Sequence, residues 1–205
     1  MLTDWSIMTY LACMARPTQF DRDLVLQRAI EIFAQHGYEG TSTEALLKAM
    51  GVGRQSLYNA FGDKWQLYLE ALRRYTSESV SAQLRVLNSS SSPVDGITAL
   101  LMRMVDEAAS DPAPSCLGIS AVCEFGRANA EVALMSDVAS QTLATAISAR
   151  VTEAKRMGMV STSTRTNELA SFILATLSGI KVSARAGAPR ATLEAIARTA
   201  LRCIA

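Results

Sequence analysis

The chain has 205 residues, with 20 Lys and Arg against 19 Asp and Glu, a single His, and a formal net charge of +1. At 49% hydrophobic and 19% charged it lies outside the disordered class and is long enough to bury a core, as one or two domains, without staples. The charge balance excludes a uniformly basic nucleic-acid coat and an acidic tail, so any nucleic-acid contact must come from a local patch. A His-based zinc site, a Ser-His-Asp triad or a Cys-His pair would each have to use His36. The cysteines, Cys13, Cys116, Cys123 and Cys203, form no C-x-x-C pair and read as reduced thiols in a cytoplasm. No apolar run approaches the roughly 20 residues of a membrane span. Residues 1–13 lack the basic start of a signal peptide and are expected to be an extension ahead of Met14.

In chain order the pattern is helical throughout. Asp21 is the expected cap of a helix carrying Val25, Ala29, Ile32 and Phe33 on one face, with His36 in its last turn and Gly37 just past it. Thr41 or Ser42 caps a short second helix, Thr41 with Glu44 as a capping box, and Gly51 ends it. A third short helix runs from about Arg54 to Phe61, and a long one from Lys64 toward Leu87. The stretch from Asn88 to Gly96, NSSSSPVDG, is the clearest linker. Five further helices are expected: Ile97–Ala109, Cys116 to about Ala128, Glu131–Met157, Thr166–Ala186 and Ala191–Ile204. No period-2 strand pattern and no internal repeat stands out. Ten of the twelve aromatic residues lie in residues 1–75, which suggests an aromatic-cored head and a longer helical body.

Function concentrates between Thr41 and Lys64. Leu46, Met50, Val52, Leu57 and Phe61 bury one side of two short helices, leaving Arg54, Gln55, Ser56, Tyr58 and Asn59 outward. Two short helices around a glycine turn make a poor core, but they can hold a polar helix end against the major groove, about 12 Å wide.

Residues from about Met14 to Tyr75 resemble the DNA-binding domain of the TetR family of transcriptional regulators. The resemblance rests on IFAQHGYEGTST, then AMGV, then SLYNAFGDKWQLY, about a third of the chain; LSGIKVSARAGAPRATLEAIA also looks like a family C-terminus. Two departures stand out: the family often has Ser or Thr where Gly53 stands, and a basic or aromatic residue at the Asn59-Ala60 positions. The resemblance implies an all-α fold, with a three-helix helix-turn-helix domain at 14–75 and a helical effector-binding and dimerisation domain at 76–205, about nine helices in all. It also implies a regulator, usually a repressor, that binds a palindromic operator in double-stranded DNA as a homodimer and is released by a small-molecule effector.

Site roles follow from side-chain chemistry and this resemblance. Arg54, Gln55 and Asn59 are suited to bidentate contacts with base edges. Ser42, Thr43, Tyr58 and Lys64 are placed for phosphates, Ser56 shares the outward face, and Arg16 is a further candidate ahead of the first helix. In residues 42–64 Lys48, Arg54 and Lys64 oppose Glu44 and Asp63, so each copy contributes little electrostatic affinity and a dimer is needed.

In the body, Leu174 and Ala175 lie opposite the Leu169, Ile173 and Ile180 stripe, and a helix apolar all round is buried on two sides. A two-fold four-helix interface follows, with Phe172, Ile173, Leu177, Ile180, Leu193, Ala197 and Leu201 as its expected residues. Candidate lining for an effector cavity is Met102, Val105, Cys123, Phe125, Met135 and Leu143, side chains that serve equally as plain core. Cys116 or Cys123 offers a redox-responsive alternative, with Arg127 nearby to favour a thiolate. Glu124 and Glu131 read as solvated surface charges. No phosphate-loop, dinucleotide, HExxH or GxSxG motif occurs, so no catalytic residue, metal or cofactor is assigned. A helical adaptor that binds only protein is the remaining alternative.

Overall fold

The computed structural model describes residues 21–110 and 115–204. Cys13, Arg16 and the expected extension at 1–13 lie outside the described residues. Among the described residues the chain forms nine helices and no strand. The first four are α1 (Arg22–His36), α2 (Thr43–Met50), α3 (Arg54–Phe61) and α4 (Lys64–Leu87). The other five are α5 (Pro93–Ser110), α6 (Leu117–Phe125), α7 (Ala130–Arg156), α8 (Thr166–Arg185) and α9 (Arg190–Ile204).

Local chemistry sets the boundaries. Asp21 accepts the N–H groups of Asp23 and Leu24 to start α1, and Asp63 and Asn129 do the same for α4 and α7. The serine-rich linker is shorter than expected, because Pro93 begins α5. Proline suits a first helical position, where its missing N–H would have had no partner. Helix α6 also stops early, at Phe125, where Gly126 takes φ +50°.

Two buried clusters organise the packing. One joins α5, the second half of α7, α8 and α9 around Leu101, Ile147, Ile173, Ile180 and Leu193. The other fills the head with Phe33, Leu46, Leu57, Leu67 and Tyr68, and takes in Leu117, Ala121 and Val132 from α6 and α7. The head core is therefore closed by body residues. Phe33 meets Tyr68 edge-on at 5.0 Å, and Phe125 of α6 completes an aromatic group with Tyr38, Trp65 and Tyr68. Helix α4 runs from this cluster to Leu87 in the other, and α6 packs on α1, α4 and α7.

Candidate nucleic-acid interface

Ser42, not Thr41, caps α2: its hydroxyl oxygen accepts the Ala45 N–H at 3.1 Å. Thr41 is buried and donates to the Gly37 carbonyl at 2.5 Å, which rules out the expected capping box. Gly51 closes the helix in the left-handed region at φ +68°, where a side chain would be strained, and Arg28 donates to the Met50 carbonyl at 3.1 Å to brace the turn. After Val52 and the cap Gly53, α3 is pinned from beneath by Leu57 and Phe61.

This anchoring leaves Arg54, Gln55, Ser56, Tyr58 and Asn59 exposed along one short helix, as the pattern predicts. They are not idle in the free chain. Arg54 ion-pairs with Glu44 of α2 at 2.6 Å, and Gln55 donates to Asn59 at 2.9 Å. Both partners of the ion pair are more than half exposed, so the pair is weak and exchangeable for another acceptor. Ser42 is exposed and Thr43 half-buried at the start of α2. Lys64, half-buried at the start of α4, holds its ammonium 4.1 Å from the centre of the Tyr38 ring.

The residue that sequence reasoning missed is Glu124. Read as a solvated charge, it instead accepts the backbone N–H groups of Tyr38 at 2.8 Å and Glu39 at 2.6 Å, from 86 and 85 residues away. The glycine before them makes this possible: Gly37 sits at φ +73°, and a Cβ there would lie 2.9 Å from a Glu124 oxygen. Glu124 thus ties α6 of the body to the turn that leads into α2. No local signal could have revealed it.

The other candidates are divided. Cys123 and Leu143 line a cavity of about 360 Å³ between α4, α6, α7 and α8. Val105 is sealed in the body core with Met102 packed against it, while Phe125 and Met135 pack on the head cluster. Of the interface candidates, Phe172 is 41% exposed, but Ile173, Leu177, Ile180, Leu193 and Ala197 fill this chain's own core, with Leu201 against them. Their apolar stripe is satisfied within one chain, because α8 and α9 pack on each other and on α5. Arg127 pairs with Asp137 at 2.6 Å rather than with a thiol. No helix among the described residues is long and apolar enough to cross a membrane, and none of their His, Cys, Asp and Glu side chains form a metal-holding cluster.

The family model for bacterial regulatory proteins of the tetR family matches residues 25–71. A solved structure of the TetR family transcriptional regulator CifR, a cysteine-substituted variant complexed with 26-bp double-strand operator DNA, is similar over 93% of this chain and 100% of that chain, at 32% identity and a TM-score of 0.78. The HTH-type transcriptional repressor ComR of Escherichia coli is 28% identical over 91% of this chain and 90% of its own length. The HTH-type transcriptional regulator YezE of Bacillus subtilis is 39% identical over 54% of this chain, a stretch spanning 58% of that relative. The chain belongs to the TetR family, and its fold of a helix-turn-helix head on a helical body is that family's.

Proposed function

We propose that this chain is a transcriptional repressor that binds a palindromic operator as a homodimer and is released by a small-molecule effector, acting in the cytoplasm by binding rather than catalysis. The observation that carries this reading is the exposed polar edge of α3, fixed from below by Leu57 and Phe61 and built from bidentate hydrogen-bonding side chains. Arg54, Gln55 and Asn59 read base edges, with Ser56 beside them. Ser42, Thr43, Tyr58 and Lys64 hold phosphates. The operator-DNA complex of CifR and the repressor ComR support the assignment.

The second copy covers the shallow groove between α8 and α9 formed by Phe172, Thr176, Thr192, Ala195, Ile196 and Thr199, with Phe172 as its exposed apolar anchor. Two copies related by a two-fold axis present two α3 helices to successive major grooves. Selection of bound DNA from a random pool should return an inverted repeat. Binding should weaken steeply with salt and be weakened further in Arg54→Ala and Tyr58→Ala. Recovery of no enriched sequence, with protein partners captured instead, would favour the adaptor reading.

A further inference from the structure

Helix α6 carries an unassigned feature at each end. At its start, Cys116 is the cap residue, and its sulfur accepts a hydrogen bond from the Tyr75 hydroxyl at 3.2 Å and lies 3.8 Å from the Lys181 ammonium. All three side chains lie on the wall of the cavity of about 360 Å³, and also line a neighbouring, more polar cavity of about 460 Å³. The smaller cavity is otherwise lined largely by apolar and hydroxyl side chains, and Lys181 is its single charged residue. Among the described residues Lys181 has no carboxylate partner. Burial first, and then the adjacent thiol, push the Tyr75 phenol above its ordinary range, so it remains a donor at neutral pH. At the other end of α6, Glu124 grips the Tyr38–Glu39 backbone and Phe125 joins the head's aromatic group.

We propose that Cys116, Lys181 and Tyr75 form a covalent effector site for small α,β-unsaturated carbonyl compounds, and that α6 carries occupancy of this site to the DNA-binding head through Glu124. The second half rests on the operator reading above. A cavity of this size and lining selects a small uncharged body. The ammonium and the phenol beside the sulfur supply two donors for a carbonyl oxygen. The sulfur attacks the β-carbon and forms a C–S bond. The π pair of the C=C bond moves toward the carbonyl oxygen, where Lys181 and Tyr75 stabilise the negative charge. The proton lost by the thiol ends on the α-carbon. The net change is addition of S–H across C=C, with no oxidant and no leaving group.

The adduct fills the space around the α6 cap and parts the sulfur from Tyr75 and Lys181. Helix α6 has nine residues and is about 14 Å long at 1.5 Å per residue, so displacement at its start reaches Glu124 at its end. The turn before α2 then loses its two carboxylate bonds, and the α2–α3 pair its fixed orientation.

The test uses the full chain, the operator selected as above and methyl vinyl ketone at one equivalent. Peptide mass spectrometry should place the adduct on Cys116 ahead of Cys13, Cys123 and Cys203, although Cys123 and Cys203 are more exposed. Operator affinity should fall by at least about fivefold on labelling. Cys116→Ser should bind the operator normally and ignore the reagent, and Lys181→Met should label about tenfold more slowly with operator binding retained. Glu124→Ala should label at the unsubstituted rate while its operator affinity no longer changes on labelling. Faster labelling of another cysteine, or a Cys116 adduct that leaves operator affinity unchanged, overturns the proposal. Labelling preference is read without DNA, so a chain that selects no operator defeats the operator reading and leaves the Cys116 result to be judged separately.

Discussion

Helices α3 and α6 are both short, with eight and nine residues, and they expose opposite kinds of information. Helix α3 buries Leu57 and Phe61 and displays a row of polar side chains whose described partners lie on α3 itself or on neighbouring α2. Helix α6 is apolar over most of its length and acts through distant partners: Tyr75 and Lys181 at one end, Tyr38 and Glu39 at the other. An exposed polar edge can be recognised from its own residues. A connector is defined by what it touches.

Four substitutions sharpen or break this contrast. The largest effect is expected from Leu57→Ala, which empties a site 1% exposed beneath the polar edge of α3. Chemical denaturation should show a loss of about 2–5 kcal/mol, with operator binding lost alongside it. A loss below roughly 1 kcal/mol would mean that α3 is not anchored as described. Next is Gly37→Ala, where φ +73° with ψ −177° is nearly closed to a side chain. It should cost about 1–3 kcal/mol by the same measurement and reproduce the weakened operator binding of a displaced α6. Arg54→Ala should cost about 1–3 kcal/mol in operator binding by titration at fixed salt. Its thermal unfolding should stay unchanged, because the Glu44 pair it removes is exposed. A shift in melting with intact binding would reverse the roles given to the two helices. The smallest effect is expected from Gly53→Ser. The cap site has ordinary extended backbone and open space for a Cβ, so a serine there should add a few tenths of a kcal/mol of stability and leave operator selection unaltered.

Much of the architecture was legible because helix signals are local. Asp21 and Asp63 cap through bonds two or three residues on, and Gly51 ends α2 through its own φ. The face of α3 was legible for the same reason: a period of 3.6 residues separates Leu57 and Phe61 from Gln55 and Asn59, and Arg54 is exposed as the first residue of the helix. Where two local solutions competed, packing decided. Thr41 and Ser42 are both capping types, but Thr41 is drawn into the core by the Gly37 carbonyl and Ser42 is left to cap.

The apolar stripe of α8 and α9 shows where periodicity stops. Such a stripe states that a face is buried but not what buries it, and here α8 and α9 cover each other and pack on α5, with α7 also against α8, while Phe172 stays exposed. The thiols show the same limit. Four cysteines are equal in sequence, yet Cys116 alone of those described sits between a phenol and an ammonium, brought there from 41 and 65 residues away. Spacing within one turn or two was enough to read the helices, the class of fold and the exposed polar edge of α3. The Glu124 grip, the Cys116 cluster and the covered stripe came from the packed fold, because a hydrogen bond or a cavity needs groups whose separation along the chain carries no information about their separation in space.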